Sequence, residues 1–231
     1  MIILALETAT SICSVAVLED DKVLGKIDLN IERAHSSKLA TAIDELLKLL
    51  DLAIVDLSAV AVSKGPGSYT GLRIGVSTAK GICYGNNIPL IGVETLEGMA
   101  VQANSYIESS ADYILFPMID ARRMEVYTSA FSSSIIKLEE THPLIADENT
   151  FSDNYTDKEI YLFGDGAKKV YDIIDRNGVY YIPGLQPDAI GIGKVAIEKF
   201  KQNDFEDVAY FEPFYLKEYK AGKPKSLLTN G

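Results

Sequence analysis

The 231-residue chain has few of the residues that build metal sites and disulfide scaffolds. It contains two cysteines, Cys13 and Cys83, two histidines, His35 and His142, and no tryptophan. Two cysteines cannot form a disulfide framework or, on their own, a four-ligand zinc site. Neither histidine has a second histidine one helical turn away, as catalytic metal sites often require. We therefore predict no metal ligand and no catalytic residue, a serine–histidine–acid triad included.

Long apolar runs and excess positive charge are also missing. No apolar stretch reaches the roughly 18 residues of a membrane-spanning helix, and the first strand begins at Ile2 without a basic segment before it. The sequence thus predicts no membrane segment, no signal peptide and a cytoplasmic location. Acidic residues outnumber basic ones by 33 to 22, which gives a net charge of −11. Because this charge repels phosphate backbones, stand-alone nucleic-acid binding is not expected.

The basic residues are concentrated near the C-terminus. Residues 217–225 carry four lysines and one glutamate. This tail can contact RNA within a larger assembly or form a solvated end, and the sequence leaves both interpretations open.

The hydrophobic pattern predicts an α/β protein. Short apolar runs read as strands, and apolar residues at three- and four-residue steps, such as Leu39, Ile43 and Leu46, read as helix faces. The predicted order of the first part is β-β-β-α-β-α-β-α, with an antiparallel start and a mostly parallel sheet. The predicted strands are 2–6, 14–18, 23–31, 57–62 and 89–93, and the predicted helices are 39–50, 72–84 and 94–106.

A polar stretch at residues 104–112 marks a predicted domain boundary. The first domain is predicted to span residues 1–106 and the second 107–202, while the segment 203–231 can pack back on the first. The second domain is predicted to contain strands near 113–119, 124–131, 135–141 and 160–163 and helices at 167–176 and 188–202.

A glycine-rich loop between the strand at 57–62 and the helix at 72–84 is the most unusual local feature. Gly65 and Gly67 flank Pro66, and Ser68 or Thr70 can cap the helix that follows. A glycine loop before a helix N-terminus suits an anion such as a phosphate or a partner's carboxylate. It is equally the form of a tight turn that starts a helix, and it is not a Walker A motif because the required lysine is absent.

A row of small residues follows the loop. Gly71, Gly75, Ala79 and Cys83 are four residues apart and share one helix face, so another backbone can approach it closely. That backbone can belong to the chain's own sheet or to another subunit. Arg73 and Lys80 lie beside or across from this row and could supply its polar rim.

Charged residues near strand ends are the other candidates. Glu7 ends the first strand, where a carboxylate often holds a magnesium-bound water in nucleotide-binding folds, although it can equally be a solvated turn residue. Asp120, Arg122, Arg123 and Glu125 cluster on a strand turn, and such clusters are typical of structural ion-pair networks.

Several segments together resemble the TsaB (YeaZ) family. The central one is GPGSYTGLRIG at residues 65–75, followed by Ala79-Lys80-Gly81, Pro89, Gly92-Val93 and Thr95-Leu96. Four outlying segments agree with it: ILALETAT at 3–10, DARRMEVY at 120–127, GDG at 164–166 and PFYL at 213–216. The resemblance runs nearly end to end.

The resemblance implies an actin-like fold, of the sugar-kinase and ribonuclease-H-like class, with two lobes of which the second is short and degenerate. It implies a role in forming N6-threonylcarbamoyladenosine beside the anticodon of tRNAs that read codons starting with A. In that role the chain is a non-catalytic scaffold for TsaD, which holds the metal and the ATP. The resemblance further implies docking of TsaE on the pair, a homodimer when TsaD is absent, and contact with tRNA only through the complex.

The resemblance also assigns residues. The partner face is formed by the helices at 35–50 and 72–84, and the residues expected there are His35, Leu39, Gly71, Arg73, Gly75, Val76, Ala79 and Lys80. A Gly75→Leu change is accordingly expected to weaken partner binding while the fold survives. Glu7, Thr8, Gly67 and Ser68 are weak candidates for a nucleotide site. Because Glu7 stands where Asp is commoner in the family, no tightly bound cofactor is expected in this chain alone.

Two other functions stay open at this stage. A small-molecule kinase or ATPase of the same superfamily fits the strand–helix order but needs a second phosphate loop, for which Gly164-Asp165-Gly166 is the one candidate. A metalloprotease is disfavoured by the two isolated histidines.

Overall fold

The computed structural model describes residues 1–30, 34–109, 111–151 and 155–217, without the side chains of residues 34–36. The strands are β1 (Ile2–Glu7), β2 (Cys13–Glu19), β3 (Lys22–Leu29), β4 (Ala59–Gly65), β5 (Leu90–Glu94), β6 (Tyr113–Asp120), β7 (Glu125–Ser132), β8 (Lys137–Ile145), β9 (Glu159–Phe163) and β10 (Val179–Ile182). The helices are α1 (Ala34–Leu49), α2 (Tyr69–Asn86), α3 (Thr95–Asn104), α4 (Ala167–Tyr171) and α5 (Ala189–Lys201). None of the helices in these described ranges is both long and apolar enough to cross a bilayer.

Two five-stranded sheets with the same topology form the molecule. The first has the order β3-β2-β1-β4-β5 and the second the order β8-β7-β6-β9-β10. In each sheet the first three strands along the chain are antiparallel, and the last two run parallel to the first. The repeat places the end of β1, at Glu7, and the end of β6, at Asp120, at equivalent positions.

Side-chain alternation in β1 assigns the two faces of the first sheet. Leu4 and Leu6 point to the side where α1 and α2 pack, and Ile3 and Ala5 point to the opposite side. Because successive side chains of a strand alternate between faces, an unbroken apolar run such as that of β1 is expected only where both faces are covered. Both faces of the first sheet are therefore buried.

The last helix of each lobe packs partly across the lobe boundary. α5 covers the second face of the first sheet, where Ile192 and Ala196 meet Ile3 and Leu18. α3 lies against the second sheet and contributes Leu96 and other apolar residues to its core. The predicted limit of the second domain at residue 202 differs from this packing, since residues 189–201 join the core of the first sheet.

The second lobe is the smaller one. The predicted helix at 167–176 ends at Tyr171, and the short strand β10 was not predicted. The chain between β8 and β9, in the place that α1 occupies in the first lobe, contains no helix in its described residues. β10 has only four residues, too few to show a period, and it forms because β9 offers it a parallel edge.

Candidate functional site

The glycine loop packs directly on the turn after β1. The backbone N–H of Ser68 donates to the carbonyl of Ala9 at 2.6 Å, and the Thr8 hydroxyl donates to the carbonyl of Gly71 at 2.9 Å. A Cβ atom on Gly67 would lie 2.5 Å from the Ala9 carbonyl oxygen, so only glycine permits this approach. The Ser68 hydroxyl caps α2 by accepting from the N–H of Gly71.

Glu7 is fully buried beside this turn. Its Oε1 accepts hydrogen bonds from the N–H of Ala9 at 2.5 Å and from the Ser63 hydroxyl at 3.0 Å, whereas its Oε2 has no hydrogen-bond partner. Burial raises the pKa of Glu7 to about 7, and the charge of Asp188 adds to the rise, while the hydrogen bonds oppose it. At neutral pH the carboxyl is therefore neutral in a large fraction of molecules.

The four residues expected to bind a nucleotide come together, but their contacts are with neighbouring residues of the chain, chiefly Ala9, Ser63 and Gly71. Magnesium prefers ionised carboxylates and water in open octahedral geometry, and a phosphate needs free N–H groups. Here Glu7 is buried and partly neutral, and Gly67 and Ser68 lie in contact with Ala9. As arranged, Glu7, Thr8, Gly67 and Ser68 do not fit a magnesium-nucleotide site. Among the residues that the structure describes, no group of three or more His, Cys, Asp or Glu is placed to hold a metal ion.

The row of small residues on α2 faces the chain's own core, so its assignment to a partner face is wrong. Cβ atoms on Gly71 and Gly75 would collide with Thr8, at the end of β1. Ala79 and Val76 are buried in the same core, and so is Leu39 of α1. The small side chains let α2 lie close to its own sheet. His35 is the second residue of α1, and its side chain lies outside the described residues.

A second row of small residues occupies the opposite face of α2. Ser77, Gly81 and Gly85 are exposed, and they continue the row that Arg73 begins. Nothing lies within 4 Å of a Cβ atom added at Gly81 or Gly85. The two rows are offset by two residues, or about 200° around a helix, so they face opposite ways. The sequence offered both rows at the same spacing, and only the packing of α2 shows which one is free.

The C-terminal segment borders this exposed face. The Lys80 ammonium donates to the carbonyls of Ala209 and Phe211, at 3.2 and 2.9 Å. The Tyr215 ring packs on Tyr69 with 4.7 Å between centroids, and Arg73 donates to the Tyr215 hydroxyl.

These contacts border an open cleft of about 400 Å³, lined by Arg73, Val76, Ser77, Lys80, Phe211, Glu212, Pro213 and Tyr215. Of the residues predicted for the partner face, Arg73 and Lys80 thus lie at the surface. The sequence allows the segment 203–231 to pack back on the first domain, and its apolar and aromatic run at 211–216 is the visible signal for that docking.

The turn between β6 and β7 forms part of an ion-pair network. Lys169 pairs with Asp120 and donates to the carbonyls of Arg123 and Glu125, at 2.7 and 2.8 Å. Partial burial raises the pKa of Asp120, but the hydrogen bond from Lys169 and the backbone N–H of Arg122 outweigh it and hold the pKa below its usual range. Lys217, near the end of the described chain, pairs with the Glu125 carboxylate.

The loop Gly164-Asp165-Gly166 is packed against the same strand. A Cβ atom on Gly164 would collide with Met118, and one on Gly166 would lie 2.9 Å from the carbonyl carbon of Ile119. Asp165 accepts a hydrogen bond from the backbone N–H of Asp120 at 2.9 Å. As arranged, this loop has no room for a phosphate beside β6.

Comparisons with known proteins agree with one another. The family model described as TsaD, tRNA N6-adenosine threonylcarbamoyltransferase, matches residues 22–221. The tRNA threonylcarbamoyladenosine biosynthesis protein TsaB of Escherichia coli is 32% identical over 229 residues, which cover 96% of this chain and 97% of that protein.

Solved structures show the same relation. YeaZ from Pseudomonas aeruginosa is 25% identical, with a TM-score of 0.81 over 93% of this chain and 99% of that one. A component of the (R)-2-hydroxyglutaryl-CoA dehydratase of Acidaminococcus fermentans shares the fold alone, with 10% identity and a TM-score of 0.51 over 86% of this chain and 98% of that one. The expected two-lobed actin-like fold is confirmed.

Proposed function

The chain belongs to the TsaB family of tRNA threonylcarbamoyladenosine biosynthesis proteins, and we propose that in this pathway it is a non-catalytic subunit that binds and supports TsaD. The observation that carries the proposal is the exposed face of α2. Ser77, Gly81 and Gly85 form a row of small exposed residues along that helix, with the exposed Tyr84 ring beside them, so a helix of another subunit can approach the backbone along this row. TsaD is the natural occupant because its family model also matches this chain, and related lobes can pack symmetrically.

The site around Glu7 supports the non-catalytic part of the proposal. Apart from Glu7 Oε2, which has no hydrogen-bond partner, the polar side-chain groups of Glu7, Thr8 and Ser68 are hydrogen-bonded within the chain, which gives these residues a structural role. We propose accordingly that this chain binds no nucleotide or metal tightly and that TsaD supplies both. The same face of α2 can pair two copies of this chain when TsaD is absent. When TsaD is bound, TsaE docks on the pair and tRNA binds through the complex in the cytoplasm.

A kinase or ATPase activity is the second function suggested by the sequence. It requires phosphate loops in both lobes. The loop at residues 65–71 contacts Ala9 and Thr8, and the loop at 164–166 contacts Met118 and Asp120. Both loops are closed by the chain's own backbone, which favours the scaffold role.

Reconstitution tests the proposed function. We expect purified TsaD of the same organism, supplied with the threonylcarbamoyl donor, to modify a tRNA transcript efficiently only when this chain is added. The chain without TsaD should form no product. The measurement is the amount of modified nucleoside after digestion of the tRNA. If TsaD reaches the same rate without the chain, or if the chain modifies tRNA alone, the proposal is wrong.

A further inference from the structure

Two adjacent arginines form the turn between β6 and β7 in a backbone conformation that does not suit them. Arg122 and Arg123 have φ angles of 74° and 52°, in the left-handed region that glycine and asparagine occupy most readily in such turns. Both residues are exposed. The hairpin would form at least as well with asparagine or glycine here, so the fold does not explain the choice of arginine.

The charges of these arginines are not used by the fold either. In the described ranges, neither guanidinium forms a hydrogen bond or an ion pair, although Arg122 attracts Asp120 through space. The two acids of the turn are already compensated, because Asp120 pairs with Lys169 and Glu125 pairs with Lys217. Asp165, which accepts a hydrogen bond from the N–H of Asp120, is a third acid here, so four positive and three negative side chains leave the turn a net charge of +1, with both arginines exposed to solvent.

The C-terminal segment reaches this turn, because Lys217 pairs with Glu125. The whole chain has a net charge of −11, so this local excess is an exception on an acidic protein. A local excess of this kind binds polyanions only weakly unless a second subunit adds to it.

We infer that the turn between β6 and β7 is a contact site for the phosphate backbone of RNA, made through Arg122 and Arg123. The inference rests on the proposed function, in which the chain works on tRNA together with TsaD. A guanidinium binds a phosphate through two parallel hydrogen bonds, and two exposed ones side by side can bind successive phosphates.

The test measures binding of a fluorescent, unmodified tRNA transcript to the complex with TsaD at KCl concentrations from 50 to 400 mM. Each phosphate contact makes the slope of log K against log salt more negative by about 0.9, which corresponds to roughly 8-fold in affinity between 1 M and 0.1 M salt. The Arg122→Gln/Arg123→Gln variant should therefore bind at least ~10-fold more weakly at 100 mM KCl, with a slope less negative by about 2.

Three further variants keep the inference falsifiable. Arg122→Lys/Arg123→Lys retains the charges and should retain the slope. Arg122→Asn/Arg123→Asn should lose binding like the glutamine variant while the melting temperature rises, because asparagine suits the left-handed backbone. Lys22→Gln/Lys201→Gln removes two positive charges near the first sheet, away from the turn between β6 and β7. Its complex with TsaD should bind tRNA with native affinity.

The outcomes separate this inference from the proposed function. If the complex forms and the glutamine variant binds tRNA with unchanged affinity and slope, the inference alone is overturned. It is also overturned if the glutamine variant loses TsaD rather than tRNA, since the turn would then be a protein contact. If the wild-type chain does not bind TsaD at all, the proposed function and the inference fall together.

Discussion

The free energy of unfolding of the native chain should fall by about 3 kcal/mol as the pH rises from about 4.5 to 7, and replacing Glu7 by glutamine should abolish this decrease. The pKa of Glu7 is about 7 in the fold and 4.5 in an exposed carboxyl. Between these values the folded chain holds a proton that the unfolded chain has released, so stability falls with rising pH and the full penalty is present above pH 7. A difference of about 2.5 pKa units corresponds to about 3 kcal/mol.

Urea unfolding of both chains at pH 5, 6, 7 and 8 measures this effect. The stability of Glu7→Gln relative to the native chain should grow by about 2.5 kcal/mol across the series, since part of the penalty is already present at pH 5. Glu148→Gln makes the same chemical change at an exposed position and serves as the matched control. Parallel curves for the native chain and Glu7→Gln would show that Glu7 is ionised in the fold, contrary to the account of the closed site.

A leucine at Gly75 should destabilise the chain by about 3 kcal/mol, whereas a leucine at Gly81 should leave it as stable or more so. Even a Cβ atom at Gly75 collides with Thr8, whose hydroxyl is already bonded to Gly71. A larger side chain must push α2 away from β1. At Gly81 nothing lies within 4 Å of the new Cβ, and replacing glycine in a helix favours the helical state.

Chemical denaturation of the two variants distinguishes the two faces of α2. The pair is matched because both substitutions replace glycine by leucine within the same helix. A Gly75→Leu protein as stable as the native chain would mean that the row at Gly71, Gly75 and Ala79 does not pack on the chain's own core. The prediction from the sequence, that Gly75→Leu leaves the fold intact, would then be correct.

The sequence predicts most of the helices and strands because their hydrophobic patterns are regular and extend over the whole element. The three- and four-residue steps of α1 and the apolar run of β1 give type and position together. The exchange of α3 and α5 between the sheets could not be predicted, because a helix pattern shows that a face is buried but not which sheet covers it. The crossing depends on Gly98 and Gly191, where a Cβ on Gly191 would collide with the Gly98 backbone.

The candidate site shows a similar limit. The residues at 7–8 and 67–68 were correctly grouped, yet the sequence could not show that the two loops close on each other. α2 carries small residues at four-residue spacing on opposite faces, and spacing alone cannot rank them. The positive φ angles of Arg122 and Arg123 are likewise invisible before the hairpin geometry is known.

Binding of TsaD to the Gly81→Leu variant, measured by titration calorimetry, tests the central claim most directly. Since Gly81→Leu should keep the fold, a loss of binding reports the exposed face of α2 itself. We predict at least ~100-fold weaker binding, because a leucine that overpacks a close helix contact costs about 3 kcal/mol. Ser134→Leu, exposed on the turn between β7 and β8, should bind as the native chain does. Native affinity in the Gly81→Leu protein would contradict the account.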